Sequence, residues 1–156
     1  MKKLAVVQIR GIIGMNGKLK DTLKLLKLTR KNSCVVVDDN PVYLGMIVKL
    51  RDFITWGEID SETFKMLLEN RGRILGNKML SEDYLKSSVK MDYNTFVKSF
   101  FDGKVKIKEV PGLKPYFRLK PPVRGFERGG IKTGFSMGGA LGYRKEKIND
   151  LIRRMI

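Results

Sequence analysis

Two adjacent carboxylates, Asp38 and Asp39, stand at the end of a β-branched run and are the one pairing in this chain that could do metal chemistry. Strand-end carboxylates of this kind hold Mg²⁺ in many phosphoryl-transfer enzymes. The chain supplies no general base and no second carboxylate cluster beside them, and capping of a helix that starts at Pro41 accounts for both residues. There is no histidine and a single cysteine, Cys34. That removes Cys/His zinc sites, Ser-His-Asp triads and Cys-His nucleophiles, excludes an internal disulfide and fits a reducing compartment. Neither a G-x-G-x-x-G nor a Gly-Lys-Ser/Thr loop is present, so no nucleotide-binding loop is indicated. What the residue types do offer is positive charge: 32 Lys/Arg against 16 Asp/Glu, a net +16. Such a balance favours a polyanionic partner.

The placement of that charge says more than its total. Residues 1–33 carry nine basic and one acidic residue, residues 34–103 nine and eleven, residues 104–133 nine and two, and the last 23 residues five and two. A charge serving solubility alone would be spread evenly. Lys18, Lys20, Lys24 and Lys27 share one short helical segment, followed by Arg30 and Lys31, with only Asp21 to offset them. No i,i+4 Glu–Lys ladder relieves the repulsion, and a phosphate backbone would supply the missing counter-charge. Ahead of that helix, Arg10-Gly11-Ile12-Ile13-Gly14 offers exposed amides and apolar tips to folded RNA. It matches the G-x-x-G of KH domains only formally, since it follows a strand and carries isoleucines. A second basic stretch holds Lys114, Arg118, Lys120, Arg124, Arg128, Lys132 and Arg144. Interleaved with them are Phe126, Phe135 and Tyr143, aromatics without apolar periodicity that either stack on bases or pack on the core. All the basic residues named from Arg10 onward, with Gly11, Gly14 and these three aromatics, are the candidate RNA contacts.

The elements that must position them follow from periodicity. Leu4–Ile9 reads as a strand, about 18–27 as a helix with Leu19, Leu23 and Leu26 on one side, and Cys34–Val37 as a buried strand. Asp39 or Asn40 caps the next helix, which has Pro41 at its start and Tyr43, Leu44, Ile47 and Val48 on one side. Phe53–Ile59 is a third strand, with Trp56 buried in it. Residues 60–103 read as three short helices, capped at Asp60, Ser81 and Asp92, in the acidic-to-neutral part of the chain. Lys104-Val-Lys-Ile-Lys108 alternates as a one-face-charged strand does, and Tyr116–Lys120 reads as a strand added to a sheet edge. Seven glycines in the eighteen positions 125–142 predict an extended loop, ordered only against a partner. Tyr143–Met155 reads as an amphipathic helix with Ile148, Leu151, Ile152 and Met155 in one stripe. That form also suits a membrane surface, but the stripe lacks Trp or Phe. The fold class expected is α+β: a β-α-β-α-β RNA-binding core over 1–59 with a three-stranded sheet and two helices on one face, a helical insertion over 60–103, and a basic Gly/Pro-rich extension with a C-terminal helix over 104–156.

Residues 4–59 resemble the ribosomal large-subunit protein thirty family. The resemblance rests on the first strand leading into Arg10-Gly11-Ile12-Ile13-Gly14, on Thr22-Leu23-Lys24-Leu25-Leu26 with Leu28, and on Asp39-Asn40-Pro41-Val42 with Leu44-Gly45-Met46-Ile47. The later segments 53–60, 111–122 and 138–155 are similar to the longer archaeal form, whose eukaryotic counterpart is large-subunit protein seven. The resemblance implies an antiparallel sheet of ferredoxin-like character with the first strand central. It implies a structural, non-enzymatic constituent of the large ribosomal subunit: a monomer in a cytoplasmic ribosome, bound to ribosomal RNA near the 5S RNA region and to neighbouring ribosomal proteins, with no cofactor, metal or membrane. A non-ribosomal RNA-binding accessory or maturation factor is the alternative, and a phosphoryl-transfer enzyme built on Asp38 and Asp39 a more remote one.

Overall fold

The computed structural model describes residues 2–156. Three strands form the centre: β1 (Lys3–Gln8), β2 (Ser33–Asp38) and β3 (Ile54–Glu58). Both neighbours run antiparallel to the central β1, with Val6 opposite Val35 on one side and Trp56 on the other. The sheet is wider than the expected three strands. The short β4 (Phe117–Arg118) adds antiparallel to β2, and the short β5 (Gly142–Tyr143) adds parallel to β3, giving a five-stranded mixed sheet in the order β4-β2-β1-β3-β5. Segments far along the chain thus cover both edges of the central unit, a common protection of exposed strand edges.

The apolar run Leu4–Val7 within β1 has a direct explanation. Leu4 and Val6 enter one core, while Ala5, Val7 and Ile9 enter another. A strand buried on both faces needs apolar residues at every position rather than at alternate ones. The first face is covered by α1 (Gly17–Leu25) and α2 (Pro41–Lys49), through Leu23, Leu26, Ile47 and Leu50. The second is covered by α3 (Ser61–Arg71), α5 (Tyr93–Phe101) and α6 (Ile148–Met155), with α4 (Glu82–Val89) contributing Leu85. Phe64 stacks on Phe100 at 4.5 Å between ring centroids, and Phe117 of β4 meets Phe64 edge-on.

Local chemistry sets the element boundaries. Asn16, Asn40, Asp60 and Ser81 each accept a hydrogen bond from a backbone N–H of the helix that follows. Asn40, not Asp39, is the cap of α2, and Asp38 instead pairs with the buried ammonium of Lys3. Asp92 precedes α5 without a side-chain cap bond and pairs with Lys86. Val48 is exposed rather than on the inner side of α2, and Trp56 is half-buried, flanked by Tyr143.

Three expectations for the last third of the chain are corrected. Residues 104–108 form no strand; Val105 and Ile107 are buried and the three lysines exposed, but the backbone turns into a 3-10 turn at Ile107–Glu109 instead of pairing. The last helix starts at Ile148, because Tyr143 is in β5 and Lys145–Lys147 form a 3-10 turn. The glycine-rich segment is folded upon itself rather than extended. Gly129 N–H donates to Gly138 C=O (2.9 Å), Ala140 N–H to Gly130 C=O (3.0 Å) and Leu141 N–H to Thr133 C=O (3.1 Å), around a 3-10 turn at Phe135–Met137. A Cβ on Gly139 would lie 2.2 Å from the Thr133 carbonyl oxygen, so glycine is what lets the two arms of the loop touch.

Candidate nucleic-acid interface

The sheet has two ends of opposite character. At one end β1 stops, β2 and β3 start, β4 leaves the sheet and β5 enters it. Arg10, Arg30, Lys31, Arg51, Arg118 and Lys120 flank this end, with Asp52 among them. Pairing of Ser33 with Arg118, and the hydrogen bond from Leu119 N–H to Asn32 C=O (3.0 Å), bring the turn carrying Arg30 and Lys31 against the segment carrying Arg118 and Lys120. Those pairs lie nearly ninety positions apart in sequence, and β4 is what joins them. At the opposite end are Asp38, Asp39, Glu58 and Asp60, with Lys2, Lys3, Lys147 and Arg153 beside them; Lys3 pairs with Asp38 and Arg153 with Asp60. A polyanion would therefore meet a net attraction at the first end and no such excess of positive charge at the second.

The loop between β1 and α1 projects from the basic end. Gly11 and Gly14 are exposed, and Gly14 has a φ of +73°, which a residue with a Cβ seldom adopts. Ile13 at its tip is 98% exposed. Arg10 is half-buried: its guanidinium lies over the Phe53 ring (5.0 Å) and donates to Asp52 C=O (3.2 Å). Behind the loop, Lys18 and Lys24 are exposed and Lys20 is half-buried; Lys24 has only a loose contact with Asp21, 3.7 Å across open solvent.

A second basic surface runs along the outer side of β2. Lys27, just past the end of α1, lines a groove with Lys106, Lys108, Leu25, Tyr43 and Pro115, and with the paired Lys3 and Asp38. Lys106 and Lys108 are not among the candidate contacts drawn from the sequence. The signal was there: the alternation of residues 104–108 correctly separates an inward pair, Val105 and Ile107, from outward lysines, although the element is not a strand.

The remaining candidates divide. Arg128 and Lys132 are exposed on the 125–142 loop, Arg124 is exposed just ahead of it, and Lys114 is half-buried beside Asn77 (3.4 Å). Phe126 packs against the second core. Phe135 lies beneath the Arg144 guanidinium, 4.6 Å away, and near the Lys147 ammonium. Tyr143, 44% exposed, flanks Trp56 with 6.1 Å between ring centroids, and its hydroxyl donates to Glu58. That hydrogen bond, followed by burial and the Glu58 charge, pushes the phenol up to about 12. Arg144, unlike the other basic candidates, is 2% exposed and makes a two-pronged pair with Glu127 (2.7 and 3.2 Å), so its guanidinium lies inside the protein. Cys34 is buried, and burial pushes its thiol up to about 12, where it is unreactive. Among the described residues no group of three or more His, Cys, Asp and Glu side chains is arranged to hold a metal ion, and no helix is long and apolar enough to cross a membrane.

Comparison with known proteins gives this surface its context. The family model described as Ribosomal protein L30p/L7e matches residues 4–54, from β1 to the first residue of β3. A Large ribosomal subunit protein uL30 from Methanococcus vannielii is 51% identical over 152 residues, covering 97% of this chain and 98% of that protein. This chain belongs to the L30p/L7e family. Proteins of the same name from Nanoarchaeum equitans (46% identical, covering 100% of both chains) and Methanopyrus kandleri (43%, covering 95% of this chain and 100% of that protein) match over nearly the whole chain as well. Family likeness thus reaches the segments beyond residue 54 that complete the sheet and bury its second face.

Proposed function

We infer that this chain is a structural, non-enzymatic constituent of the large ribosomal subunit and that it binds ribosomal RNA with the basic end of its sheet. Membership of the L30p/L7e family, with full-length relatives named large ribosomal subunit protein uL30, supports the first part. One observation carries the second: Arg30 and Lys31 of one segment and Arg118 and Lys120 of another converge at the sheet end from which the Gly11–Gly14 loop projects, while carboxylates gather at the far end. The mechanism is electrostatic and steric. Lys18, Lys24 and the convergent pairs neutralise phosphates, and the glycine loop lets backbone amides and the Ile13 side chain approach the RNA surface closely. Recognition is mainly of shape, because duplex RNA hides its base edges in a deep, narrow groove.

The finer reading sets the contact near the 5S RNA region, in a cytoplasmic ribosome where the chain is a monomer. The acidic end and residues 60–103 then face neighbouring ribosomal proteins. The test is sedimentation of native extract at moderate and then high salt, with the protein followed by mass spectrometry. Retention on the large subunit at high salt, near one copy per particle, is the expected result. Release into the free fraction at moderate salt would overturn the integral-subunit reading in favour of an accessory RNA-binding factor.

A further inference from the structure

A loop of eighteen residues with seven glycines should lose much conformational freedom on meeting a partner, and that loss weakens binding. Here the loop folds upon itself, and one side chain makes most of the contacts that hold it. The Arg144 Nε donates to the Thr55 hydroxyl on β3 (2.8 Å). Its Nη1 and Nη2 donate to the two Glu127 carboxylate oxygens (2.7 and 3.2 Å), near the start of the loop. Nη2 also donates to the Ala140 carbonyl (2.8 Å), near its end, and the guanidinium plane covers Phe135 of the 3-10 turn in the middle. Arg144 is itself fixed from behind: its N–H donates to Trp56 C=O (2.9 Å), and the Thr55 hydroxyl donates to Gly142 C=O (2.8 Å).

We propose that Arg144 is a positioning residue, which ties both ends and the centre of the 125–142 loop to β3 so that Arg128 and Lys132 are presented to RNA in a pre-set geometry, and which touches no RNA itself. The inference rests on the RNA-binding reading above. A planar guanidinium with a two-pronged carboxylate partner is suited to this task, whereas a lysine ammonium, a single point of charge, cannot serve all these acceptors in their fixed directions. A buried charge of this kind must keep its partner, which makes the tie all-or-none. Arg154 supports it from α6, donating to Gly125 C=O (3.1 Å) and standing 3.8 Å from Glu127. The loop's own glycine contacts make its folded form compact once the ends are tied, as the Cβ that Gly129 lacks would lie 2.8 Å from Gly138 C=O.

Two measurements test this. The first is ¹⁵N relaxation of the RNA-free wild-type protein, in which the amides of residues 127–141 should be as rigid as those of β1 and β2. Loop amides moving freely on the nanosecond scale would overturn the proposal whatever the variants do. The second is binding to deproteinised large-subunit RNA from Methanococcus vannielii across a salt series, comparing wild type, R144K, E127Q and the double variant R128Q/K132Q. R144K and E127Q should bind roughly tenfold more weakly at every salt concentration with the salt slope unchanged, the mark of lost pre-organisation. R128Q/K132Q should lower the slope by about 2, as loss of two phosphate contacts does. A further variant, R144Q, removes the charge that R144K keeps: a salt slope lower by about 1 in R144Q than in R144K would make Arg144 a phosphate contact, and wild-type affinity in R144K would make the tie irrelevant; either result sinks the proposal. No binding of the wild type to this RNA even at low salt would instead sink the RNA-binding reading.

Discussion

At the scale of single residues, close approach and paired charge decide the outcome of substitution. Gly57 lies on β3 directly beneath the 3-10 turn that leads into α6; a Cβ there would lie 2.0 Å from Lys145 C=O and 3.0 Å from Ile148 side-chain atoms. Backbone cannot yield as a flexible side chain does, so Gly57→Ala should cost about 3 kcal/mol and lower Tm by roughly 10 °C in thermal unfolding. Glu127 gives a pH dependence. Partial burial acts to raise its carboxyl pKa, but hydrogen bonds from Arg144 and from its own backbone, with the charges of Arg144 and Arg154, outweigh this and hold the carboxyl below its ordinary value of 4.5. A depressed carboxylate stabilises the fold fully above its unfolded-state pKa, and the contribution is lost as pH falls through the depressed folded-state value. Amide-exchange protection in residues 128–140 should therefore hold at neutral pH and fall in acid below that ordinary value. E127Q should remove the acid-dependent step while lowering protection throughout.

At the scale of elements, partner contacts outrank local pattern. The stripe of α6 has the form of an interfacial helix, yet Ile148, Leu151, Ile152 and Met155 are fully buried against β3, α3 and their surroundings. Asn149 adds hydrogen bonds to Asp60 N–H (3.1 Å) and Glu58 C=O (3.1 Å), and Arg153 reaches Asp60, Glu62 and Thr63. Leu151→Ala should cost about 3 kcal/mol in denaturant unfolding, while Val48→Ala on the open side of α2 should cost under about 0.5 kcal/mol. Gly45 marks the opposite case from Gly57. It lies in the α2 interior with nothing within 4 Å of the position a Cβ would take, so Gly45→Ala should stabilise the protein by about 0.5–1 kcal/mol. Loss of RNA affinity in that variant would show instead that α2's outer side lies against RNA.

At the scale of the whole molecule, the proposed RNA binding depends on where the charge is placed. Basic side chains at one end of the sheet act together only because β4 carries Arg118 and Lys120 back to the turn holding Arg30 and Lys31. R118Q/K120Q should weaken binding to large-subunit RNA and reduce the magnitude of the salt slope by about 2, whereas Asp39→Asn at the far end should leave both unchanged. Equal effects from the two ends would mean that net charge alone, not its arrangement, drives binding.

Much of this was legible in the residues. Apolar runs at 4–7 and 34–37, Asn40-Pro41 before an apolar helix and Asp60-Ser61 before another are local signals, and local physics reproduces the strands and caps. The absence of histidine and the crowding of lysine at 18–31 limited the chemistry before any fold was known. What sequence alone could not decide depended on distant partners. Two-residue strands such as β4 and β5 have no periodicity of their own and exist because an open edge accepts them. The alternation at 104–108 kept its inward and outward sides but met no edge, so it did not pair. Arg144 reads in sequence as one more cation in a basic tail. Only the tertiary structure sets Glu127, Thr55 and Ala140 around it, and a buried charge with matched partners has a different role from an exposed one because its hydrogen bonds are already made.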